Sequence, residues 1–291
     1  LDVVVQGASK QEAKRAVDVI QKEISQLDRT LSTWRADSEI TALNNNKQGK
    51  VSAELFEVIA ACENWRDKTC GAFDARLGQL ITLWEQSHGV VKLDETTRAQ
   101  VLNQLKADSV KLDAEQHSIA MDSAVKFAPD AYAKGYIIDR ALVAARQAVP
   151  SIEGLLVDIG GDIRVWGNAP QKDGWKIGVQ DAFDHSDNSA IQQILSLKDQ
   201  AIAFSGQGYR SLAGQTHLLD PKTGMPLQQV EQCVVVGSCA ADADALATAL
   251  AAMTPSEGLE LIEALMGYEA KVTLTDGQVY QSSGWNSLVQ T

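Results

Sequence analysis

Two polar side chains interrupt the alanine-rich, apolar stretch between Cys239 and Met253. Asp244 and Thr248 are four residues apart, so a helix places the carboxylate and the hydroxyl on one face. An ionised carboxylate is costly to bury without a partner, and oxygen donors suit Mg2+. A metal site and local helix capping both explain the pair at this stage. We expect Asp242 to point elsewhere, as a first-turn charge favoured by the helix dipole.

Two glycine-containing segments could hold a phosphate. Gly160 and Gly161 separate two predicted strands, where glycine permits positive φ or close approach of the backbone to a ligand. An ordinary tight hairpin is the alternative. Ser205 and Gly206 follow another predicted strand, and backbone amides there could bind phosphate. This second segment has neither the Walker nor the Rossmann spacing.

A lysine and a histidine add polar chemistry. Lys134 and Gly135 lie ahead of a helix predicted from Asp139, so the ammonium and the helix N-terminus could both face an anion. A solvated lysine is the alternative. His217 opens a turn that ends at Gly224. Imidazole titrates near neutral pH and can act as a base, although a lone histidine is usually structural.

Aromatic side chains could bind a planar ring. Trp34 lies among polar residues, which predicts an exposed indole, and Phe73 lies in the short segment Gly-Ala-Phe-Asp. Burial in the core is the ordinary alternative for both side chains.

Composition narrows the class of protein. The chain has 291 residues, 45% of them hydrophobic, which is enough for a substantial core. The net charge of −12 argues against nucleic-acid binding, and an anionic substrate would need local positive charge or a metal. No apolar run approaches the roughly 20 residues of a membrane helix. The four cysteines have no metal-binding spacing, and small buried hydrophobes are favoured over disulfides.

Hydrophobic periodicity predicts an α+β fold, with mixed and antiparallel sheets and flanking helices. The irregular interleaving of helices with antiparallel strand pairs is the reason. Helices are predicted over residues 10–31, 52–68, 80–84, 94–105, 139–149, 240–253 and 255–265. Strands are predicted over 110–121 as a pair, 154–167 as a pair, 175–179, 191–197, 201–205, 232–236 and a closing pair around 276–277.

Seven segments, taken in order, resemble the ApbE family of flavin transferases, the FAD:protein FMN transferases. The segments are 31–44, 71–74 with 83–84, 133–139, 157–162, 205–206, 217–224 and 243–249. Each is weak alone, but seven in family order are highly specific. The resemblance covers nearly the whole chain, and it implies one ApbE-like domain over 1–291 with a two-subdomain architecture.

The resemblance implies binding of FAD in an elongated cleft and cleavage of its pyrophosphate. FMN would pass to a Ser or Thr hydroxyl of an acceptor protein, with release of AMP. Asp244, Thr248 and the main-chain carbonyl of Ala131 match the family's Mg2+ ligands, and His217 matches a histidine proposed to assist transfer. The positions that match FAD contacts are Trp34, Ala72, Phe73, Asp74 and Lys134.

Two other functions remain open: an FAD pyrophosphatase that gives FMN and AMP, and a non-catalytic flavin-binding carrier. We expect acceptors among the subunits of redox pumps or electron-transfer systems. The sequence starts at Leu1 without a leader, so we expect a periplasmic or extracytoplasmic protein processed from a signal-bearing precursor, or a trimmed sequence. Membrane contact is expected only through a lipid anchor, and the family's lipid-bearing cysteine is not among these residues.

Overall fold

The computed structural model describes residues 1–86, 93–171, 173–184, 189–207, 211–212, 215–216 and 218–290. Two compact units can be distinguished. Unit 1 comprises Leu1–Ser25, Lys134–Tyr209 and Gln229–Thr291, and unit 2 comprises Gln26–Ala133 and Arg210–Gln228.

Eight α-helices and fourteen strands occur in the described residues. The helices are α1 Lys10–Leu31, α2 Glu39–Asn46, α3 Ala53–Lys68, α4 Gly78–Gln86, α5 Glu95–Ala107, α6 Asp130–Ala148, α7 Ala240–Ala251 and α8 Pro255–Glu263. The strands are β1 Asp2–Gln6, β2 Gln48–Lys50, β3 Val110–Asp113, β4 Ser118–Met121, β5 Gly154–Ile159, β6 Asp162–Gly167, β7 Trp175–Gln180, β8 Ile191–Leu197, β9 Ala201–Gly206, β10 Ser211–Leu212, β11 Gln215–Thr216, β12 Val230–Gly237, β13 Glu269–Leu274 and β14 Val279–Gln281.

Unit 1 is built on a seven-stranded sheet with the order β1-β5-β6-β9-β12-β13-β14, in which every neighbouring pair is antiparallel. Both faces of this sheet are covered. Leu155 and Val157 of β5 pack in a cluster with Ile138 of α6, whereas Leu156, which points the other way, packs with Val234 and Trp285. Strand β12 is buried along its whole length, which agrees with the apolar run over residues 233–236.

Unit 2 combines the sheet β2-β4-β3 with helices α2 to α5. A buried asparagine links two of its segments. The Asn44 side-chain amide donates to the Phe127 carbonyl at 2.9 Å, and the Phe127 amide donates to the Asn44 side-chain oxygen at 2.7 Å. Both polar groups of the buried Asn44 amide are therefore satisfied.

The predicted α+β class is confirmed, and most predicted elements are present. Helix α1 has the predicted limits, Ser52 caps α3 by accepting from the Leu55 amide at 3.2 Å, and Asp94 caps α5. The predicted strand at Trp175 is present as β7, but it pairs with β8 in a separate two-stranded sheet. All four cysteines are free; Cys62 and Cys233 are buried, as expected for small hydrophobes, whereas Cys70 is exposed.

One predicted helix start was wrong, and one helix was missed. Helix α6 begins at Asp130, directly after Pro129, and not at Asp139. Proline before a helix is an ordinary start signal. This signal was missed because the hydrophobic periodicity after Pro129 is weak. The short helix α2 was not predicted; Ser38 caps its start and Lys47 ends it with a φ of 64°.

Close packing between α6 and α7 requires glycine at position 135. A Cβ atom placed on Gly135 would lie 2.3 Å from the Ala240 carbonyl oxygen, far inside van der Waals contact. We predict that Gly135→Ala lowers the free energy of unfolding by about 1–3 kcal/mol, the usual cost of overpacking. Alanine would otherwise stabilise a helix relative to glycine, so the sign of the effect is diagnostic.

Gly49→Ala is the matched control for this prediction. Among the described residues, a Cβ placed on Gly49 would meet no atom within 4 Å apart from those of Gly49 and its two chain neighbours, so the stability of Gly49→Ala should stay within about 0.5 kcal/mol of the parent. Urea denaturation followed by circular dichroism measures both variants. Equal stabilities for the two would show that the contact at Gly135 relaxes without cost.

Candidate active site

The polar residues of α7 lie against strand β9. Asp244 is 2% exposed, and Thr248 follows one helical turn later. The Thr248 and Ser205 hydroxyl oxygens are 3.1 Å apart. A buried carboxylate and two hydroxyls therefore belong to one small region of unit 1.

Alanine brings these oxygens close to the sheet. Ten of the twelve residues of α7 are buried, and the helix packs on β9 and β12. Small side chains allow a helix backbone to approach a sheet closely, and alanine has the highest helix propensity. The alanine-rich sequence therefore forms a helix that can carry Asp244 and Thr248 into the interior.

The first turn of α7 is capped by another helix. The Asp139 carboxylate of α6 accepts hydrogen bonds from the Ala240 and Ala241 amides, each at 3.0 Å. Burial raises the pKa of the Asp139 carboxyl, while these amides and Arg164 oppose the rise.

The prediction for Asp242 is confirmed, because it is a first-turn carboxylate that accepts from the Tyr268 hydroxyl at 3.1 Å.

Lys134 forms an ion pair inside unit 1. Its ammonium nitrogen lies 2.7 Å from Asp162 Oδ2, and the Asp162 side chain is 1% exposed. Asp162 Oδ1 accepts from the Phe204 amide at 3.1 Å. Burial raises the pKa of the Asp162 carboxyl, and the lysine charge opposes the rise. The prediction that Lys134 lies ahead of a helix was wrong, because Lys134 lies within α6. The N-terminus of α6 and the Lys134 ammonium are therefore not at the same place.

The two glycine segments differ in structure. Gly160 and Gly161 connect β5 to β6 with φ values of 62° and 94°, and the Gly161 amide donates to Asp158 at 2.9 Å. This turn has the positive φ that the sequence predicted. Ser205 and Gly206, by contrast, are the last residues of β9. The predicted strand over 201–205 is confirmed, but the prediction that Gly206 lies in a loop after it was wrong.

The cause of that error lies in strand pairing. Gly206 pairs with Gln232, and a Cβ on Gly206 would lie 2.2 Å from the Glu231 carbonyl oxygen. The glycine therefore permits close approach of β12, and a phosphate loop is not needed to explain it. His217 lies outside the described residues.

The predicted FAD-contact residues of unit 2 have different exposures. Trp34 is 69% exposed, whereas Ala72 and Phe73 are 4% and 2% exposed. Core burial, the alternative for Phe73, therefore holds for its ring. The Asp74 carboxylate lies 3.0 Å from the Arg66 guanidinium, and its burial raises the pKa of the carboxyl. Ala131 lies in the first turn of α6.

Asp139, Asp162 and Arg164 were not predicted as site residues. Arg164 donates to the Ser238 carbonyl and lies 3.6 Å from Asp139 Oδ1. One sequence signal could have identified Asp139: it follows Gly135 by four residues, so the two share a helix face. That signal is useful only if the helix begins before Gly135, whereas the predicted helix began at Asp139.

The oxygen donors on α7 fit Mg2+ better than a transition metal. No group of three or more His, Cys, Asp or Glu side chains suitable for a metal occurs in the described part of the chain. Mg2+ commonly uses one or two carboxylates and fills its remaining positions with water and substrate phosphates. Asp244 with Thr248 has this character.

No described helix is long and apolar enough to cross a membrane.

Comparison with known proteins places the chain in a family. The sequence profile of the ApbE family matches residues 2–272. The FAD:protein FMN transferase of Vibrio cholerae serotype O1 is 30% identical over 264 residues, which cover 84% of this chain and 75% of the relative. The enzyme of the same name from Escherichia coli K12 is 26% identical over 274 residues, covering 86% and 75%.

Solved structures agree with this placement. The crystal structure of the ApbE protein from Thermotoga maritima matches with a TM-score of 0.84 and 25% identity, covering 99% of this chain and 94% of that chain. The flavin transferase ApbE from Vibrio cholerae matches with a TM-score of 0.77 and 25% identity, covering 97% and 92%. The chain belongs to the ApbE family and is an enzyme of the transferase class. The resemblance seen in the seven segments is confirmed.

The ion pair between Lys134 and Asp162 predicts a stability effect. We expect Lys134→Met to lower the free energy of unfolding by about 1–3 kcal/mol, because it leaves a buried carboxylate without its cation. The deficit relative to the parent should shrink as the pH falls and Asp162 takes up a proton.

A double-mutant cycle with Asp162→Asn tests the pair. Asparagine removes the negative charge and keeps an oxygen for the Phe204 amide, so the double variant should recover part of the loss caused by Lys134→Met. Urea denaturation of the four proteins gives the coupling. Strictly additive losses would mean that the pair contributes no stability.

Proposed function

We propose that this protein transfers the FMN moiety of FAD to a Ser or Thr hydroxyl of an acceptor protein in a Mg2+-dependent reaction that releases AMP. The observation that carries the proposal is the buried Asp244 carboxylate one helical turn from the Thr248 hydroxyl, in a chain of the ApbE family. Relatives named FAD:protein FMN transferase support the reaction.

In the proposed reaction, the acceptor hydroxyl oxygen attacks the phosphorus of the FMN half of FAD. A new phosphoester bond forms, the anhydride bond to AMP breaks, and the hydroxyl proton passes to a base, for which we propose His217. Bound Mg2+ would offset the charge that develops on the phosphate oxygens. Asp244 and Thr248 would hold the ion, with the Ala131 carbonyl as a third protein ligand.

Other residues would bind and orient FAD. The positive-φ turn at Gly160 and Gly161 has no side chain that could block a phosphate, and Lys134 and Ser205 lie in the same unit. In unit 2, the exposed Trp34 indole could stack on a ring of the ligand. Ala72, Phe73, Asp74 and Gly206 complete the proposed contacts, with Phe73 limited by its burial to main-chain groups or a ring edge.

The acceptor and the location are part of the same proposal. Family membership favours acceptors among the subunits of redox pumps or electron-transfer systems. The same membership favours a periplasmic or extracytoplasmic location. The enzyme would then attach FMN after export of the acceptor.

One incubation distinguishes the candidate functions. Purified protein is mixed with FAD, Mg2+ and a candidate acceptor, and the products are followed by mass spectrometry and by chromatography of nucleotides. Acceptor carrying FMN, with an equal amount of AMP, supports transfer. AMP and free FMN without modified acceptor would identify a pyrophosphatase. Unchanged FAD bound to the protein would identify a carrier.

Asp244→Asn tests the metal ligand. Asparagine keeps the size of the side chain but loses the charge on which a hard cation depends. AMP release should fall roughly 100-fold or more, since Lewis-acid stabilisation supplies several kcal/mol. Asp242→Asn is the matched control, because it lies two residues away on α7 and bonds to Tyr268 instead. Equal activity in the two variants would remove Asp244 from the mechanism.

Trp34→Ala tests ring stacking. Because the indole is 69% exposed, the variant should fold with parent-like stability. We expect FAD binding to weaken by about 1–3 kcal/mol, the range for stacking of a base on an aromatic side chain, with a smaller loss for FMN if the indole stacks on adenine. Phe183→Ala, another exposed aromatic, serves as the control. Calorimetric affinities that match the parent would exclude stacking by Trp34.

A further inference from the structure

Helix α7 depends on another element for its N-terminal cap. Among the described residues, the N-cap residue Cys239 makes no side-chain capping hydrogen bond. The first backbone N–H groups of a helix have no acceptor within the helix. Most of the first turn of α7 is buried, so water is a poor acceptor for these groups, and a buried N–H group without an acceptor is costly. Asp139 of α6 supplies both oxygens, one to Ala240 and one to Ala241.

We propose that Asp139 is a positioning residue for the reaction: its carboxylate fixes the first turn of α7 and thereby sets the positions of the Asp244 carboxylate and the Thr248 hydroxyl. The inference rests on the proposed function, in which those two side chains bind Mg2+. Asp244 follows Ala240 by one helical turn, so any displacement or fraying of the capped turn reaches it directly.

The cap is itself rigidly held. Gly135 lies on the same face of α6, one turn before Asp139, and its backbone is so close to Ala240 that a Cβ would overlap it. Arg164 donates to the Ser238 carbonyl just before α7 and lies 3.6 Å from Asp139. The carboxylate can therefore neither follow a shifted α7 nor turn towards solvent without breaking these contacts.

A second set of contacts reaches α7 from strand β9. Lys134 of α6 pairs with Asp162, which accepts from the Phe204 amide on β9. The next residue on β9, Ser205, contacts Thr248. The contacts thus run from α6 through Asp162 and β9 to α7, and back to α6 through Asp139. A closed ring of this kind holds oxygen ligands at fixed spacing, as outer contacts do in metal sites.

The test measures metal binding and needs no turnover. Mn2+, which prefers oxygen ligands as Mg2+ does, is titrated into the purified protein and its free fraction is read by electron paramagnetic resonance. Asp139→Ala should weaken Mn2+ binding by about 10–100-fold, the range for loss of an outer contact. Asp139→Asn should be intermediate, because it keeps one acceptor oxygen and presents an N–H group where the second amide needs an acceptor.

Asp94→Ala is the matched control. Asp94 caps α5 in unit 2 by accepting from the Thr97 amide at 3.0 Å, so its loss removes a helix cap, as Asp139→Ala does, but should leave Mn2+ affinity unchanged. If Asp139→Ala does not fold, Arg164→Met decides, because it loosens the cap without removing it and should weaken Mn2+ binding several-fold.

Each result has one meaning. Weaker Mn2+ binding by folded Asp139 variants, with parent-like binding by Asp94→Ala, supports the positioning role. Parent-like Mn2+ affinity in Asp139→Asn and Arg164→Met would overturn it and leave the proposed metal site intact. A parent protein that binds no Mn2+ would instead contradict the metal part of the proposed function, and the positioning role with it.

Discussion

Burial of the Asp244 carboxylate is the constraint to which the rest of unit 1 is adapted. A carboxylate removed from water is stable only with compensating partners or a cation. Alanine at most positions of α7 lets the helix pack closely on β9, where the Thr248 and Ser205 hydroxyl oxygens are 3.1 Å apart. In the proposed reaction, this buried carboxylate is one of the Mg2+ ligands.

The helix that carries this carboxylate also needs its own polar groups satisfied. Asp139 caps its first turn, and Gly135 allows α6 to approach α7 closely enough for the Asp139 carboxylate to accept from the α7 amides. Lys134, one residue earlier, turns to Asp162. A single stretch of α6 therefore supplies a contact point, a cap and a cation, which explains why one family segment, 133–139, carries so many chemically distinct residues.

The charge balance of unit 1 explains why a divalent cation would be useful. The chain carries a net charge of −12, and the cations of this region are already near carboxylates, Lys134 beside Asp162 and Arg164 beside Asp139. A pyrophosphate entering such a region meets little uncompensated positive charge. In the proposed reaction Mg2+ makes up this deficit, because its charge is concentrated and directed at phosphate oxygens.

The sequence by itself determined the fold class, the family, the limits of α1 and the pairing of Asp244 with Thr248 on one helix face. These features follow from local periodicity, capping residues and motif order, all of which lie along the chain. Tertiary structure decided the position of Gly206 inside β9 and the roles of Asp139 and Asp162. Those features depend on partners distant in sequence, such as the Ala240 amide and the Glu231 carbonyl, and no local pattern encodes which remote backbone a carboxylate or a glycine will meet.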